Sequence, residues 1–417
     1  MSKKLLMVAF HFPPLAGSSG IQRTLRFVQQ LPALGWQPLV LSANPRAYET
    51  VANDLVAQIP PDTEVRRAFA LDAARHLSIG GRYIAASARP DRWASWRLDG
   101  VRQGLKLIAK FKPQAIWSTY PIATAHLIGM ALHQRTGLPW IADFRDPMAQ
   151  EGYPTDPQLW AAFDRIERQA IELASVSTFT TPGAAAVYRQ RYPNFAQKIS
   201  VLENGYDEES FAQSERVEPQ PQPLLPGIVT LLHSGIVYPQ ERDPAPLMAA
   251  LQRLKAGGHI AAANFRIRFR AAIHDALLHT LAERLKIEDL VETLPAIGYA
   301  AALQEMRRAD ALLVMQSAGC NDQIPAKTYE YLRAGRPVIC LSDPAGDTAG
   351  VLRAAGLTDI ARLDDAVDIE HKLKRFIDLV RRGRAALPPP TAVASASRAG
   401  RSIQLATLLD GLTSATN

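Results

Sequence analysis

Late in the chain, Lys327, Glu330 and Tyr331 stand at spacings that suit phosphate and ribose chemistry. In Ile324-Pro-Ala-Lys-Thr-Tyr-Glu-Tyr-Leu-Arg-Ala-Gly-Arg-Pro-Val-Ile-Cys-Leu341, Lys327 lies three residues before Glu330 and four before Tyr331. On a helix these offsets share one face, and Gly335 followed by Pro337 predicts where the helix stops. A lysine at a helix start adds its charge to the free N–H groups and positive dipole there, which suits phosphate. A neighbouring carboxylate can accept two ribose hydroxyl hydrogens. The pattern therefore points to a nucleoside diphosphate. The competing reading is a solvated Lys327–Glu330 pair contributing only about 0.2–0.5 kcal/mol.

Other segments offer supporting chemistry. His11-Phe-Pro-Pro-Leu-Ala-Gly17-Ser18-Ser19-Gly20 follows an apolar strand and leads into a helix carrying Arg23. Its glycines and serines let backbone N–H groups approach a ligand at a strand's carboxyl end. The spacing is neither the dinucleotide fingerprint nor an ATPase phosphate loop, and a tight turn with Ser19 as helix N-cap is the plainer reading. Asp143-Phe-Arg145-Asp146 ends another strand, where the carboxylates could orient hydroxyls or move protons; a structural Asp–Arg clasp is the alternative. Asn204-Gly205 predicts a sharp reversal. Gly235 allows close backbone approach, and Arg242 precedes a helix whose start is marked by Asp243 as N-cap and Pro244 as first residue. Gly81 to Lys112 interleaves basic residues with Trp93 and Trp96. That composition suits an anionic membrane surface, or a solvated helix with its tryptophans packed inward.

These residues need strands to carry them. Short apolar runs alternate with helical patterns, the mark of parallel α/β layers. Expected strands are Leu5–Phe10, Pro38–Leu41, Ala115–Thr119, Trp140–Asp143 and Ser177–Thr181, then Ile228–His233, Ile267–Ala271, Ala311–Gln316 and Val338–Leu341. The first helix starts near Gly20, with Ile21, Leu25, Val28 and Leu31 on one stripe. The proline-rich run Pro219–Pro226 divides the chain into an N-terminal domain (1–215), a linker (216–226) and a C-terminal domain (227–390). A tail (391–417) is expected to hold a helix around Ser402–Leu412 that packs back on the N-terminal domain. Two Rossmann-like halves with a cleft between them is the economical architecture.

Composition narrows the class. A chain of 417 residues with 47% hydrophobic and 21% charged residues fits a soluble α/β protein. Cys320 and Cys340 provide no disulfide framework, and the apolar start is too short for a signal sequence; both favour a cytoplasmic setting. A net charge of +7 favours anionic partners, but no nucleic-acid-binding motif accompanies it.

Taken together, the loop Gly17–Gly20, Glu203-Asn-Gly-Tyr-Asp207, His233-Ser-Gly235 and Lys327–Val338 resemble the GT-B glycosyltransferases, specifically the family-4-like retaining enzymes. The resemblance implies a nucleotide-sugar donor bound by the C-terminal domain and a glycan or lipid-linked acceptor bound by the N-terminal domain. By motif position, Glu330 would hold the ribose, while Arg242 and Lys327 neutralise the diphosphate. Gly17, Ser18, Ser19, Gly20, Gly235, Asp322 and Tyr331 complete the donor side. Arg23, Trp93 and Trp96 are the acceptor-side candidates, and Asp143, Arg145 and Asp146 join the catalytic set. No metal or other cofactor is implied. The resemblance points to surface polysaccharide or glycolipid synthesis; peripheral contact with an anionic membrane is the expectation from the basic stretch Gly81 to Lys112. Three departures stand out: Ile236 replaces a frequent arginine, Asp322 replaces the first of two paired glutamates, and Arg145 stands where a histidine is frequent. A nucleotide-sugar epimerase and a non-catalytic binding protein are the alternatives on the same fold.

Overall fold

Apolar runs too short for helices pair side by side here, and the amphipathic segments between them cover both faces of the resulting sheets. The computed structural model describes residues 2–18, 20–78, 80 and 82–414; Ser19, Gly81 and the last three residues of the tail lie outside the described residues. The chain forms two compact units, Met1–Asn204 with Arg398–Asn417, and Gly205–Ser397.

Unit 1 contains β1 (Lys3–Val8), β2 (Trp36–Ala43), β3 (Glu64–Ala68), β4 (Ala115–Thr119), β5 (Trp140–Arg145), β6 (Val176–Phe179) and β7 (Ile199–Val201). They form a parallel sheet in the order β3-β2-β1-β4-β5-β6-β7. Its helices are α1 (Gly20–Gln30), α2 (Ala73–His76), α3 (Trp96–Phe111), α4 (Ala123–Thr136), α5 (Pro157–Leu173) and α6 (Pro182–Arg191). Alternation along β1 assigns the two faces. Leu6 and Val8 pack with α3, α4 and α5, whereas Leu5 and Met7 pack with α1 and with Leu405 and Leu409 of the C-terminal helix Arg398–Ser414.

Unit 2 repeats the plan with β8 (Val229–Ser234), β9 (Phe265–Arg270), β10 (Val291–Leu294), β11 (Ala311–Met315), β12 (Val338–Leu341) and β13 (Ile360–Ala361), ordered β10-β9-β8-β11-β12-β13. Its helices are α7 (Glu208–Val217), α8 (Ala245–Ala256), α9 (Asp275–Leu285), α10 (Tyr299–Arg308), α11 (Lys327–Arg333), α12 (Asp347–Ala354), α13 (Ala366–Arg381) and α14 (Pro390–Ser395). In both sheets the strand order reverses beside the first strand, between β1 and β4 and between β8 and β11. Loops at the carboxyl ends of such strands part from one another and leave room for a ligand.

Several local features differ from the sequence expectation. β3, β7, β10 and β13 escape the apolar pattern because they lie at or next to sheet edges, where short or charged strands suffice. Pro219–Pro226 is not a linker between the units. Leu224 N donates to Arg308 O at 3.1 Å and Arg308 Nε to Gln222 O at 3.0 Å, while Arg307 reaches Ser214 and Glu218 main-chain oxygens. These bonds hold α7 and the proline-rich run to α10, so unit 2 begins at Gly205. Asn204-Gly205 makes no reversal: Gly205 is absent from the left-handed positions, and the chain is irregular from Leu202 to Gly205. The N-cap of α8 is Pro244, with the Asp243 carboxylate accepting from Ala245 N at 2.9 Å. Cys320 and Cys340 are free and buried. Among the described residues, no helix is long and apolar enough to cross a membrane.

Candidate functional site

In unit 2 the loop after β8 and the helix α11 converge. Gly235 has φ +129°, a region that side chains rarely allow, and a Cβ there would run into Lys327 Nζ. Its N–H donates to Arg270 O at 2.8 Å, holding the loop to the end of β9. Lys327 opens α11, and its Nζ lies 3.5 Å from His233 Nε2. His233 Nδ1 lies 3.0 Å from Leu313 O, so Nδ1 carries the proton and Nε2 faces the lysine with a lone pair. Burial and Lys327 drive the His233 pKa well below its usual range, keeping the ring neutral. Lys327 itself is lowered to about 7, first by burial and then by Arg242, with Glu330 opposing the shift.

Arg242 is anchored from its own turn. Its N–H donates to Tyr238 O at 2.7 Å, Nη1 to Ile236 O at 3.0 Å and Nε to Gln316 Oε1 at 3.3 Å, with the guanidinium 5.2 Å from the Tyr238 ring centroid. Ile236 thus supplies a carbonyl that aims Arg242. One turn along α11, Glu330 Oε1 accepts from Tyr299 OH at 2.9 Å. Gly335, at φ +68°, follows the helix end. Asp322 is half-buried in the loop before α11. Two cations, a carboxylate and an open glycine backbone therefore meet at the carboxyl ends of β8 and β11. Such a set can neutralise a diphosphate and accept from vicinal hydroxyls.

Tyr331 has a different role from the one expected of it. It is buried, and its hydroxyl accepts from Ser234 N at 2.9 Å, so it fixes the end of β8 from behind. His233, Gln316 and Tyr299 are the residues sequence reasoning did not assign; each acts by orienting a charged neighbour, a role that leaves no local signature. A cavity of about 470 Å³ adjoins the Arg242 turn, lined by Gln240, Asp243, Ser317, Asp343 and Arg362 among others.

In unit 1 the loop after β1 closes over β5. Gly17 is left-handed at φ +79°, and Gly20 N donates to Ser18 Oγ at 3.3 Å. Ser18 Oγ and His11 Nδ1 are 3.1 Å apart. A Cβ on Gly20 would lie 2.6 Å from both Arg145 Nη1 and His11 Nδ1, so a side chain there would have to displace the guanidinium and the ring. Arg145 is itself left-handed at φ 62°; its Nη1 donates to Tyr120 O at 3.3 Å, while its buried Nε has no partner among the described residues. Burial and Arg145 lower the His11 pKa to about 4. Asp146 is exposed beside it.

Asp143 and Arg23 do not belong with these groups. Asp143 is fully buried and accepts from Arg23 Nε at 3.0 Å, Arg23 Nη2 at 2.9 Å, Thr119 Oγ1 at 3.0 Å and Thr178 Oγ1 at 2.8 Å. Arg23 also donates to Leu202 O at 2.9 Å and Glu203 O at 3.0 Å. Both are saturated, which removes Asp143 as a proton carrier and Arg23 as an acceptor contact. They lock α1, β5 and the end of the first unit's strand series together. Trp96 is 0% exposed and Trp93 donates from Nε1 to Ala47 O at 2.9 Å while packing at a tilt on Phe10, so both serve the core rather than a ligand.

Comparison with known proteins follows the same division. Residues 19–205 match the glycosyl transferase 4-like domain family. No curated protein sequence matches the chain. Sucrose-phosphate synthase from Thermosynechococcus elongatus is similar over 99% of this chain and 100% of its own, at 14% identity and a TM-score of 0.62. HepE from Anabaena, in complex with UDP, is similar over 98% of this chain and 100% of its own, at 12% identity and a TM-score of 0.65. The lipopolysaccharide outer core galactosyltransferase WaaB is similar over 97% and 99%, at 12% identity and a TM-score of 0.60. At these identities the structural likeness establishes the fold, and the domain match covers the first unit only. Residues 19–205 are thus similar to the glycosyl transferase 4-like domain, and the whole chain shares the two-domain GT-B fold of these glycosyltransferase structures.

Proposed function

We propose that this protein transfers a sugar, with retention, from a nucleoside-diphosphate sugar to a glycan or lipid-linked acceptor in surface polysaccharide or glycolipid synthesis. The observation that carries the donor assignment is Lys327 Nζ packed against Gly235, with Arg242 and Glu330 at the same strand ends. Arg242 and Lys327 stabilise the charge that grows on the leaving diphosphate, without a metal or other cofactor. Glu330 accepts from the ribose hydroxyls, and Asp322 and Gly235 contact the sugar and phosphate. The HepE complexes with UDP, and with UDP and glucose, support a nucleoside diphosphate as the donor's handle.

In unit 1, the Gly17–Gly20 loop completes the donor side and Arg145 joins the catalytic groups. Retention follows from attack on the face the diphosphate leaves, with the leaving oxygen taking the acceptor proton. No carboxylate pair spaced as in a glycosidase is then required. The work is cytoplasmic, beside the anionic inner face of the membrane.

The test is a metal-free binding screen of nucleoside diphosphates and their sugars against wild type and Glu330→Ala. One nucleoside family should bind selectively, and the variant should lose roughly tenfold or more, the equivalent of about 1.4 kcal/mol. Binding indifferent to Glu330 refutes the donor site.

A further inference from the structure

We propose that the α3–α4–α5 face of unit 1 docks on an anionic phospholipid bilayer. Two grooves flank α4 on this face. The first, between α4 and α5, is about 610 Å³ and carries Arg89, Arg97 and Arg165 over a floor that includes Leu127, Met130 and Ile166. The second, between α3 and α4, is about 600 Å³ and is lined by Arg97, Arg102, Lys106 and Arg135 with Leu98, Val101 and Leu105. Arg97, near the start of α3, lines both.

Their chemistry is one-signed. Neither lining includes an acidic residue. Asp99, the nearest acid on α3, lies 3.6 Å from Arg102 and accepts from Phe69 N and Gln103 instead. Asp164 on α5 is spent on Arg168. Among the described residues, Arg89, Arg97, Lys106, Arg135 and Arg165 have no side-chain hydrogen bond or ion pair. A fold that needed these charges internally would have paired them, as it pairs Arg92 with Asp72 and Arg191 with Glu167.

Apolar surface accompanies the charge. Leu98 is 83% exposed between Arg97 and Arg102, and Ile84 is 78% exposed in the segment leading to Arg89. An anionic bilayer accepts both features, with phosphates meeting the cations and Leu98 and Ile84 entering the headgroup boundary. A soluble polyanion would satisfy the cations alone and leave the leucine in water. The start of α3 packs through Trp96 on Phe10, which follows β1, so this face is carried by a helix fixed to the strand that leads into the Gly17–Gly20 loop. This deepens the lipid-linked acceptor reading and takes its biological sense from it, but the docking is measured without turnover.

Flotation of the full chain with phosphatidylcholine vesicles, with and without about one-third phosphatidylglycerol, tests the inference. Wild type should float only with the anionic vesicles. Arg97→Glu with Arg165→Glu should reduce the bound fraction at least ~tenfold, and Leu98→Ser should weaken it further. A control pair on unit 2, Arg382→Glu with Arg384→Glu, makes the same change in net charge and should leave flotation unaltered. Equal binding to neutral vesicles, or an equal loss in the control pair, overturns the proposal. So does retention of a single-stranded RNA oligonucleotide on filters with the same arginine dependence and no vesicle binding. Loss of flotation with intact donor binding would separate this surface from the donor site, and intact flotation with no donor binding would leave the docking standing.

Discussion

At the scale of single residues, the proposed donor site is a set of charges held slightly out of balance. Lys327 is lowered to about 7 because burial and Arg242 disfavour its proton, and only Glu330 opposes them. An unfolded lysine titrates near 10.4, so between about pH 7 and 10 the unfolded chain binds more protons than the folded one. The lysine's penalty on stability is therefore full below about pH 7 and is relieved as pH rises through that window. A bound diphosphate reverses the preference by supplying negative charge. Nucleoside diphosphate binding at pH 8 should take up most of one proton, about 0.5–1, and affinity should fall as pH rises above about 7. Calorimetry in buffers of different ionisation enthalpy reads this directly. Lys327→Met should abolish the uptake and weaken binding, yet raise unfolding stability at neutral pH. An uptake unchanged in that variant would assign the proton elsewhere.

At the scale of elements, the buried Arg23–Asp143 clasp explains why a charged turn that looks catalytic is structural. Arg23 donates two bonds to Asp143 and two to the Leu202–Glu203 main chain, joining α1 to β5 and to the segment after β7. The Asp143 carboxyl is held below its usual range by Arg23 and Thr178 against the cost of burial. Its stabilising effect is present above the unfolded carboxylate value and lost as pH falls through the lower folded one. Asp143→Ala leaves the guanidinium buried and uncompensated, at a cost of about 3–5 kcal/mol in urea unfolding. The folded fraction should still bind nucleoside diphosphate normally. A variant that keeps wild-type stability but loses turnover would restore Asp143 to the chemistry. Arg145, two residues on, differs: it is left-handed, lies outside the clasp, and its Nε has no partner among the described residues.

For the whole molecule, each unit owns a complete sheet and its own covering helices. The units should therefore melt separately. In differential scanning calorimetry, nucleoside diphosphate at about 100 times its Kd should stabilise one of two transitions by about 2.7 kcal/mol and leave the other in place. A single transition that moves as one would show that the units unfold together. The C-terminal helix belongs to the first of them: Leu405 and Leu409 cover Leu25, Val28 and Trp36 there, far in sequence from everything they touch.

The sequence by itself determined what depends on near neighbours. Alternating apolar runs and helical stripes were enough for two parallel α/β halves, and the offset of Lys327 from Glu330 was enough to put them on one helix ended by Gly335. Both follow from fixed geometric periods within a few residues. Tertiary structure alone decided which polar residues lie open. Asp143, Arg23, Trp96 and Tyr331 carry the right side chains for a ligand, but crossings from β4, β6, the segment after β7, β8 and the helices above them bury each one. It also placed the unit boundary at Gly205, because the proline-rich run finds its hydrogen bonds on α10, 86 residues ahead from Gln222 to Arg308. The cationic face arose in the same way, from arginines on three helices whose shared sign is visible only once α3, α4 and α5 lie side by side. Burial and adjacency are sums over contacts distant in sequence, and no local pattern records them.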